Sequence, residues 1–98
     1  MAIFAIQYTY GQDTEKMGEF RPEHVEFLSG LHEAGTLLAS GPWSVPNTGA
    51  LLLIKADNAE DAAAIMGNDP FARENLIAER SINQWNLFFG SIPGADSE

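Results

Sequence analysis

Residues 50–70, ALLLIKADNAEDAAAIMGNDP, show a strand pattern that passes directly into a helix pattern. The leucine-rich run at residues 50–55 is typical of a strand that is buried on both faces. Asp57 or Asn58 is the predicted N-cap of the helix, because these side chains accept hydrogen bonds from free N–H groups at a helix start. The predicted packing face of that helix is small and apolar: Ala59, Ala62, Ala63 and Met66. The Asn-Asp-Pro sequence at residues 68–70 is expected to end it.

The segments on either side complete a pattern of six main elements. Residues 21–34 carry an apolar stripe at helical spacing, with Pro22 in the expected first turn and Gly35 as the stop signal. Residues 13–19 are polar and give no clear pattern. The predicted strands are residues 2–10, 36–40, 50–55 and 81–90, and a further helical turn is predicted at 73–78. The order strand, helix, strand, strand, helix, strand predicts an α+β, ferredoxin-like βαββαβ domain with a four-stranded antiparallel sheet.

Length and end composition predict a single domain. The chain has 98 residues, and we expect residues 1–90 to form the domain and the small, polar residues 91–98 to form a flexible C-terminal tail. Residues 1–10 lack the basic start and cleavage site of a signal peptide, and no apolar run is long enough to cross a bilayer. These features predict a cytoplasmic protein with no membrane partner.

The charge balance and the residue types exclude several kinds of partner. Fourteen acidic residues face five scattered basic ones, for a formal net charge of −9. Nucleic acid binding needs a basic surface, so we expect no nucleic-acid partner. The chain contains no cysteine, and its two histidines have no carboxylate at metal-ligand spacing. We therefore expect no metal site.

The apolar strands also predict self-association. Two helices can cover only one face of a four-stranded sheet, yet residues 51–54 and 87–89 place apolar side chains on both faces. The predicted elements leave no further sequence to cover the second face. A second copy of the chain is the economical cover, and we therefore expect a homodimer.

His24 is the most informative single residue. It lies in the apolar stripe of the predicted helix, between Phe20 and Leu28, where a hydrocarbon would pack better. A core histidine with satisfied nitrogens and a functional histidine are equally compatible with this position. If His24 is functional, His24→Phe should preserve or raise stability.

Asp69 has a structural interpretation, and Arg21 allows two interpretations. Asp69 precedes Pro70, which favours an N-cap for a helix at residues 71–76. Arg21 lies one helical turn before His24, so it either forms a surface ion pair with Glu19 or Glu26, or binds an anionic ligand.

A set of short motifs resembles the YciI-like (YCII-related) family from about residue 2 to residue 89. These motifs are Arg21-x-x-His24, Phe27-Leu28, Gly35, Ser40-Gly41-Pro42, Asp69-Pro70-Phe71 and Trp85-Asn86. The resemblance implies a dimeric α+β barrel related to the muconolactone isomerases, some members of which act on chlorinated aromatic breakdown products. It also implies a catalytic His24-Asp69 pair, in which Asp69 both caps a helix and orients the histidine through different oxygens.

These observations favour a cofactor-independent isomerase or lyase, of the dehydrochlorinase type, acting on a small anionic or phenolic ring. Tyr8, Arg21, Ser40, Gly41 and Pro42 are the expected substrate-binding residues, although Gly-Pro more often simply ends a strand. The alternative is a non-catalytic ligand-binding or oligomerisation module in which His24 and Asp69 are structural.

Overall fold

The computed structural model of the chain describes residues 1–95. The elements in this range are β1 (Ala2–Tyr10), α1 (Thr14–Glu33), β2 (Leu37–Pro42), β3 (Gly49–Ala56), α2 (Ala59–Met66), α3 (Pro70–Arg73) and β4 (Ile77–Gln84). The predicted flexible tail extends into residues 96–98, which lie outside the described residues, and its flexibility stays a prediction.

The four strands form one antiparallel sheet in the order β2-β3-β1-β4. The central strands pair along their length, from Ala2 opposite Ala56 to Thr9 opposite Gly49. Their helix-side face supplies the centre of the main core: Phe4, Ile6, Tyr8, Leu52 and Ile54. Helices α1 and α2 pack on this face. The α+β ferredoxin-like prediction is therefore confirmed.

Helix α1 begins earlier than predicted. It starts at Thr14, and the Asp13 carboxylate caps it by accepting a hydrogen bond from the Lys16 amide at 3.0 Å. Pro22 lies inside the helix and not in its first turn, so the prediction for this proline was wrong. The extension is stabilised by burial, because Met17 and Phe20 pack in a second apolar cluster built around Phe71 and Leu76. Tertiary packing thus outweighs the hydrogen bond that Pro22 cannot make.

Strand β4 begins at Ile77 and ends at Gln84, so the predictions of a strand at 81–90 and of a helical turn at 73–78 were wrong. The strand lies at the sheet edge and is mostly exposed, which explains its polar sequence. The apolar residues that suggested the later strand are outside the sheet. Phe88 is 85% exposed and Phe89 is 92% exposed.

The sheet face away from the helices is partly covered by the chain itself. Ile3 and Leu53 are buried although neither belongs to the helix-side core. The Trp85 amide donates to the Ile3 carbonyl at 2.8 Å, and the Lys55 ammonium donates to the Gly94 carbonyl at 3.0 Å. The segment after β4 therefore reaches this face at Gly94, and the expectation that no sequence was left for it was wrong.

No helix within residues 1–95 combines the length and the apolar character that a membrane span requires.

Candidate functional site

A cavity of about 250 Å³ lies between α1 and the helix-side face of the sheet. Six of the predicted site residues line it: His24, Arg21, Tyr8, Ser40, Gly41 and Pro42. The remaining walls are aromatic or apolar: Tyr10, Val25, Leu28, Ala50 and Leu52. The fold thus brings together residues from two central strands, an edge strand and one helix around a space of small-molecule size.

His24 and Asp69 form a buried pair at the back of this cavity. Their sequence separation is 45 residues, and the distance from His24 Nδ1 to Asp69 Oδ1 is 2.8 Å. Helix α1 positions the histidine, and the N-cap of α3 positions the aspartate. An ionised carboxylate can only accept hydrogen bonds, so Nδ1 is the donor. The neutral ring then presents Nε2 as its hydrogen-bond acceptor.

Asp69 is fully buried and accepts three hydrogen bonds. Oδ1 accepts from His24 and from the Phe71 amide at 3.0 Å, and Oδ2 accepts from the Tyr8 hydroxyl at 2.9 Å. Asp69 is therefore an N-cap, as predicted, but of a short helix (Pro70–Arg73) and not of residues 71–76. Its Oδ1 accepts both the capping hydrogen bond from the Phe71 amide and the hydrogen bond from His24. The expectation that these two bonds use different oxygens was therefore wrong.

The Tyr8 hydroxyl points at Asp69 and not at open space. Burial raises the pKa of Tyr8 far above its usual value, and the adjacent Asp69 carboxylate raises it further. The phenol consequently stays protonated and acts as a permanent donor. Tyr8 lines the cavity with its ring, while its polar atom fixes the carboxylate behind the histidine.

Phe71 is a site residue that the sequence analysis did not assign. Its ring stacks on the His24 imidazole, with centroids 3.9 Å apart and an interplanar angle of 1°. The ring of Tyr10 meets Phe71 edge-on at 5.7 Å. Stacking and the Asp69 hydrogen bond together leave the imidazole little freedom to rotate. The Asp69-Pro70-Phe71 motif contained this residue, but no sequence pattern indicated which side chain it would contact.

Arg21 lies exposed at the cavity wall. Its guanidinium carbon is 5.9 Å from the Phe71 ring centroid, and within residues 1–95 it forms no ion pair with Glu19 or Glu26. Burial raises the pKa of Tyr10, Asp69 adds to that rise, and the Arg21 charge opposes it. The positive charge of Arg21 therefore acts on Tyr10, a residue of the cavity wall, and an anion bound in the cavity would be attracted by the same charge.

Ser40, Gly41 and Pro42 form the end of β2 and not a turn beyond it. They pair with Leu52, Leu51 and Ala50 of β3. They therefore line the cavity from an edge strand of the sheet. In the described part of the chain, no group of three or more potential metal-ligating side chains occurs.

Fold and cavity together define a small ferredoxin-like domain with a His-Asp pair beside a ligand-sized space. The family model of the YCII-related domain matches residues 1–86. The chain therefore belongs to the YCII-related family, which confirms the resemblance. Its relatives include the uncharacterised Bacillus subtilis protein YjpA, which is 37% identical over 84 residues, covering 82% of this chain and 96% of YjpA.

A second relative is the derivative of benzaldehyde biosynthesis cluster protein C of Emericella nidulans. It is 29% identical over 79 residues, covering 70% of this chain and 81% of that protein.

Solved structures share the fold at low sequence identity. One is 5-chloro-2-hydroxyhydroquinone dehydrochlorinase from Burkholderia phenoliruptrix in complex with 2,5-dihydroxybenzoquinone, with a TM-score of 0.75, 19% identity, and coverage of 86% of this chain and 93% of that one. Another is a suggested antibiotic biosynthesis monooxygenase from Nitrosomonas europaea, with a TM-score of 0.57, 15% identity, and coverage of 91% and 100%. These likenesses establish the common fold.

Proposed function

We propose that this protein is an enzyme that transfers protons on a small cyclic or aromatic acid. His24 is the acid–base group, Asp69 is its orienting partner and Arg21 binds the anionic oxygen of the substrate. The observation that carries the proposal is the buried 2.8 Å contact between His24 and Asp69 at the wall of a 250 Å³ cavity.

A purely structural role explains this arrangement less well. Burying a histidine and an aspartate is costly unless their polar atoms form hydrogen bonds. Both carboxylate oxygens of Asp69 do so, because they accept three hydrogen bonds in total. His24 differs, because among the described residues no hydrogen bond occupies its Nε2. A histidine kept only for packing would not need an open space beside it.

The proposed reaction begins with His24 Nε2 accepting a proton from a hydroxyl or a ring carbon of the substrate. Asp69 stabilises the imidazolium that forms, and Arg21 stabilises the developing negative charge on the substrate. In an isomerisation, the imidazolium returns the proton to another atom of the ring. In a dehydrochlorination, the electrons released by deprotonation expel chloride, so the substrate loses one proton and one chloride ion.

Two observations support the proposed substrate class: the cavity and the relatives. A space of about 250 Å³ with aromatic and apolar walls suits a molecule with a single ring. A fold neighbour acts on a chlorinated hydroxyhydroquinone, and a relative is named for benzaldehyde-derivative biosynthesis. We propose a monocyclic phenol or carboxylate as substrate, and a reaction that needs no cofactor.

We also propose that the protein acts as a homodimer. The sheet face opposite the helices carries the partly exposed Leu51, and the exposed Phe88 and Phe89 follow β4. A second copy would remove these apolar side chains from water.

The test is ring hydrogen–deuterium exchange in a panel of monocyclic phenols and carboxylates that includes resorcinol, together with their binding by calorimetry. We expect His24→Phe to lower enzyme-dependent exchange on the order of a hundred- to ten-thousand-fold. Glu33→Phe, which introduces the same side chain on the same helix away from the cavity, should retain it. Unchanged exchange in His24→Phe, or a parent protein that neither binds nor exchanges any of the panel, would reject the proposal.

A further inference from the structure

The cavity does not end at the His-Asp pair. An open groove of about 480 Å³ runs between α1 and the edge strand β2. Val25, Leu28 and Ser40 line both the cavity and the groove. The two spaces therefore adjoin along these three side chains.

The lining of the groove is suited to binding an apolar hydrocarbon group. Its walls are mainly apolar and include Leu37, which is buried. The chain has fourteen acidic residues, yet in the described part none of them lines the cavity or the groove. Its rim includes Val25, which is 55% exposed although it stands in a helix between Glu23 and Glu26.

The groove also has a defined length. It begins at the shared residue Val25 and reaches His32, whose Nδ1 lies 2.9 Å from the Leu37 carbonyl oxygen. Seven residues of α-helix separate these positions, which corresponds to about 10 Å. It lies on the helix side of the sheet, so a second copy on the opposite face would leave it open.

We propose that the substrate is a monocyclic acid carrying an unbranched apolar substituent, with the ring in the cavity and the substituent in this groove. The inference rests on the proposed function, because the ring is placed by His24 and Arg21. Burial of Val25 and Leu28 against the substituent would then supply binding energy remote from the reacting ring.

The experiment compares resorcinol with 4-hexylresorcinol on the full chain by calorimetry. We expect the hexyl compound to bind on the order of ten- to a hundred-fold more tightly. Ser29→Trp, which fills the groove from α1, should abolish this preference while the Kd for resorcinol stays unchanged. His32→Trp fills the same groove about one turn further along α1 and serves as the second variant if Ser29→Trp melts early. Ala78→Trp, on the opposite edge strand, should keep the preference.

Equal Kd values for the two compounds in the parent protein would overturn the proposal. So would a hexyl preference that survives both groove variants, because the hexyl chain would then bind outside the groove. These outcomes are separate from a failure of the proposed function. That failure would appear as resorcinol binding and exchange that do not depend on His24, whatever the hexyl group contributes.

Discussion

Asp69 is the residue on which the site depends most at the scale of single side chains. A fully buried carboxylate loses its hydration, so each donor aimed at it replaces water that folding has removed. His24, Tyr8 and the Phe71 amide supply these donors from three different elements. Removal of one donor therefore leaves a buried carboxylate oxygen with one hydrogen bond fewer. It also changes the orientation of the carboxylate that positions His24.

Tyr8→Phe tests the donor behind the carboxylate. At neutral pH we expect a loss of roughly 1–3 kcal/mol in the free energy of unfolding, because Asp69 Oδ2 loses its partner. The raised pKa of Tyr8 also means that stability is fully present below the usual value of 10.0 and declines as the pH rises above it. This alkaline decline should be shallower in Tyr8→Phe. Urea unfolding across the neutral and alkaline range measures both effects.

Tyr10→Phe is the matched control for Tyr8→Phe. Its hydroxyl makes no hydrogen bond among the described residues, so neutral stability should be nearly unchanged. Equal stability of the two variants would show that the bond from Tyr8 to Asp69 contributes little, because both variants keep the aromatic ring.

The resemblance to the YCII-related family implied the pairing of His24 with Asp69 but not its energetic consequence. A functional His24 was expected to tolerate His24→Phe with preserved or raised stability, and a purely structural His24 was expected to lose stability. The geometry reverses the first expectation, because a phenylalanine in place of His24 would leave Asp69 Oδ1 with only the Phe71 amide as donor. That cost depends on contacts between residues far apart in the chain, which a local pattern cannot contain.

Helix α1 is the element in which the local sequence signal for the helix start differs most from the start that tertiary packing produces. The Pro22 signal marks a helix start when taken locally, but the helix runs from Thr14 to Glu33 through it. Met17 and Phe20 lie before the proline, and their burial could be predicted only with knowledge of α3. In contrast, β1 and β3 were predicted almost to the residue, because burial of central strands leaves long apolar runs in the sequence.

Pro22→Ala distinguishes a helix that starts at this proline from one that passes through it. Within a continuous helix, alanine restores the missing N–H and relieves the ring clash, so we expect a gain of about 2 kcal/mol in the free energy of unfolding. At a first-turn position the same change would be neutral or destabilising. Denaturant midpoints of Pro22→Ala, with Pro93→Ala outside any helix as control, decide between these two cases. A lower midpoint in Pro22→Ala would contradict the observed extent of α1.

At the scale of the whole molecule, the outer face of the sheet is the proposed dimer interface. The segment after β4 contacts this face at Gly94, whose carbonyl accepts a hydrogen bond from Lys55. Leu51 is only partly buried and lies opposite Gln7. The sequence correctly indicated apolar side chains on both faces of β3, but it assigned residues 87–89 to a strand that ends before them.

Leu51→Glu tests the proposed dimer. An unpaired charge in a dimer interface is costly, so we expect monomers, or aggregate, where the parent protein sediments as a dimer at micromolar concentration. Val45→Glu adds the same charge at a side chain that is 89% exposed in the loop between β2 and β3, and should leave the dimer intact. A parent protein that sediments as a stable monomer would refute the homodimer directly.

The nitrogen resonances of His24 test the central claim most directly, because they report which ring atom holds the proton and which one meets the ligand. In ¹⁵N-labelled protein we expect the neutral ring to carry its proton on Nδ1, hydrogen-bonded to Asp69, and to have an unprotonated Nε2. Addition of resorcinol should shift the Nε2 resonance and leave Nδ1 protonated. Two results would contradict an acid–base role for His24. One is a neutral ring with its proton on Nε2 and an unprotonated Nδ1, and the other is a set of His24 resonances that do not shift when a ligand binds.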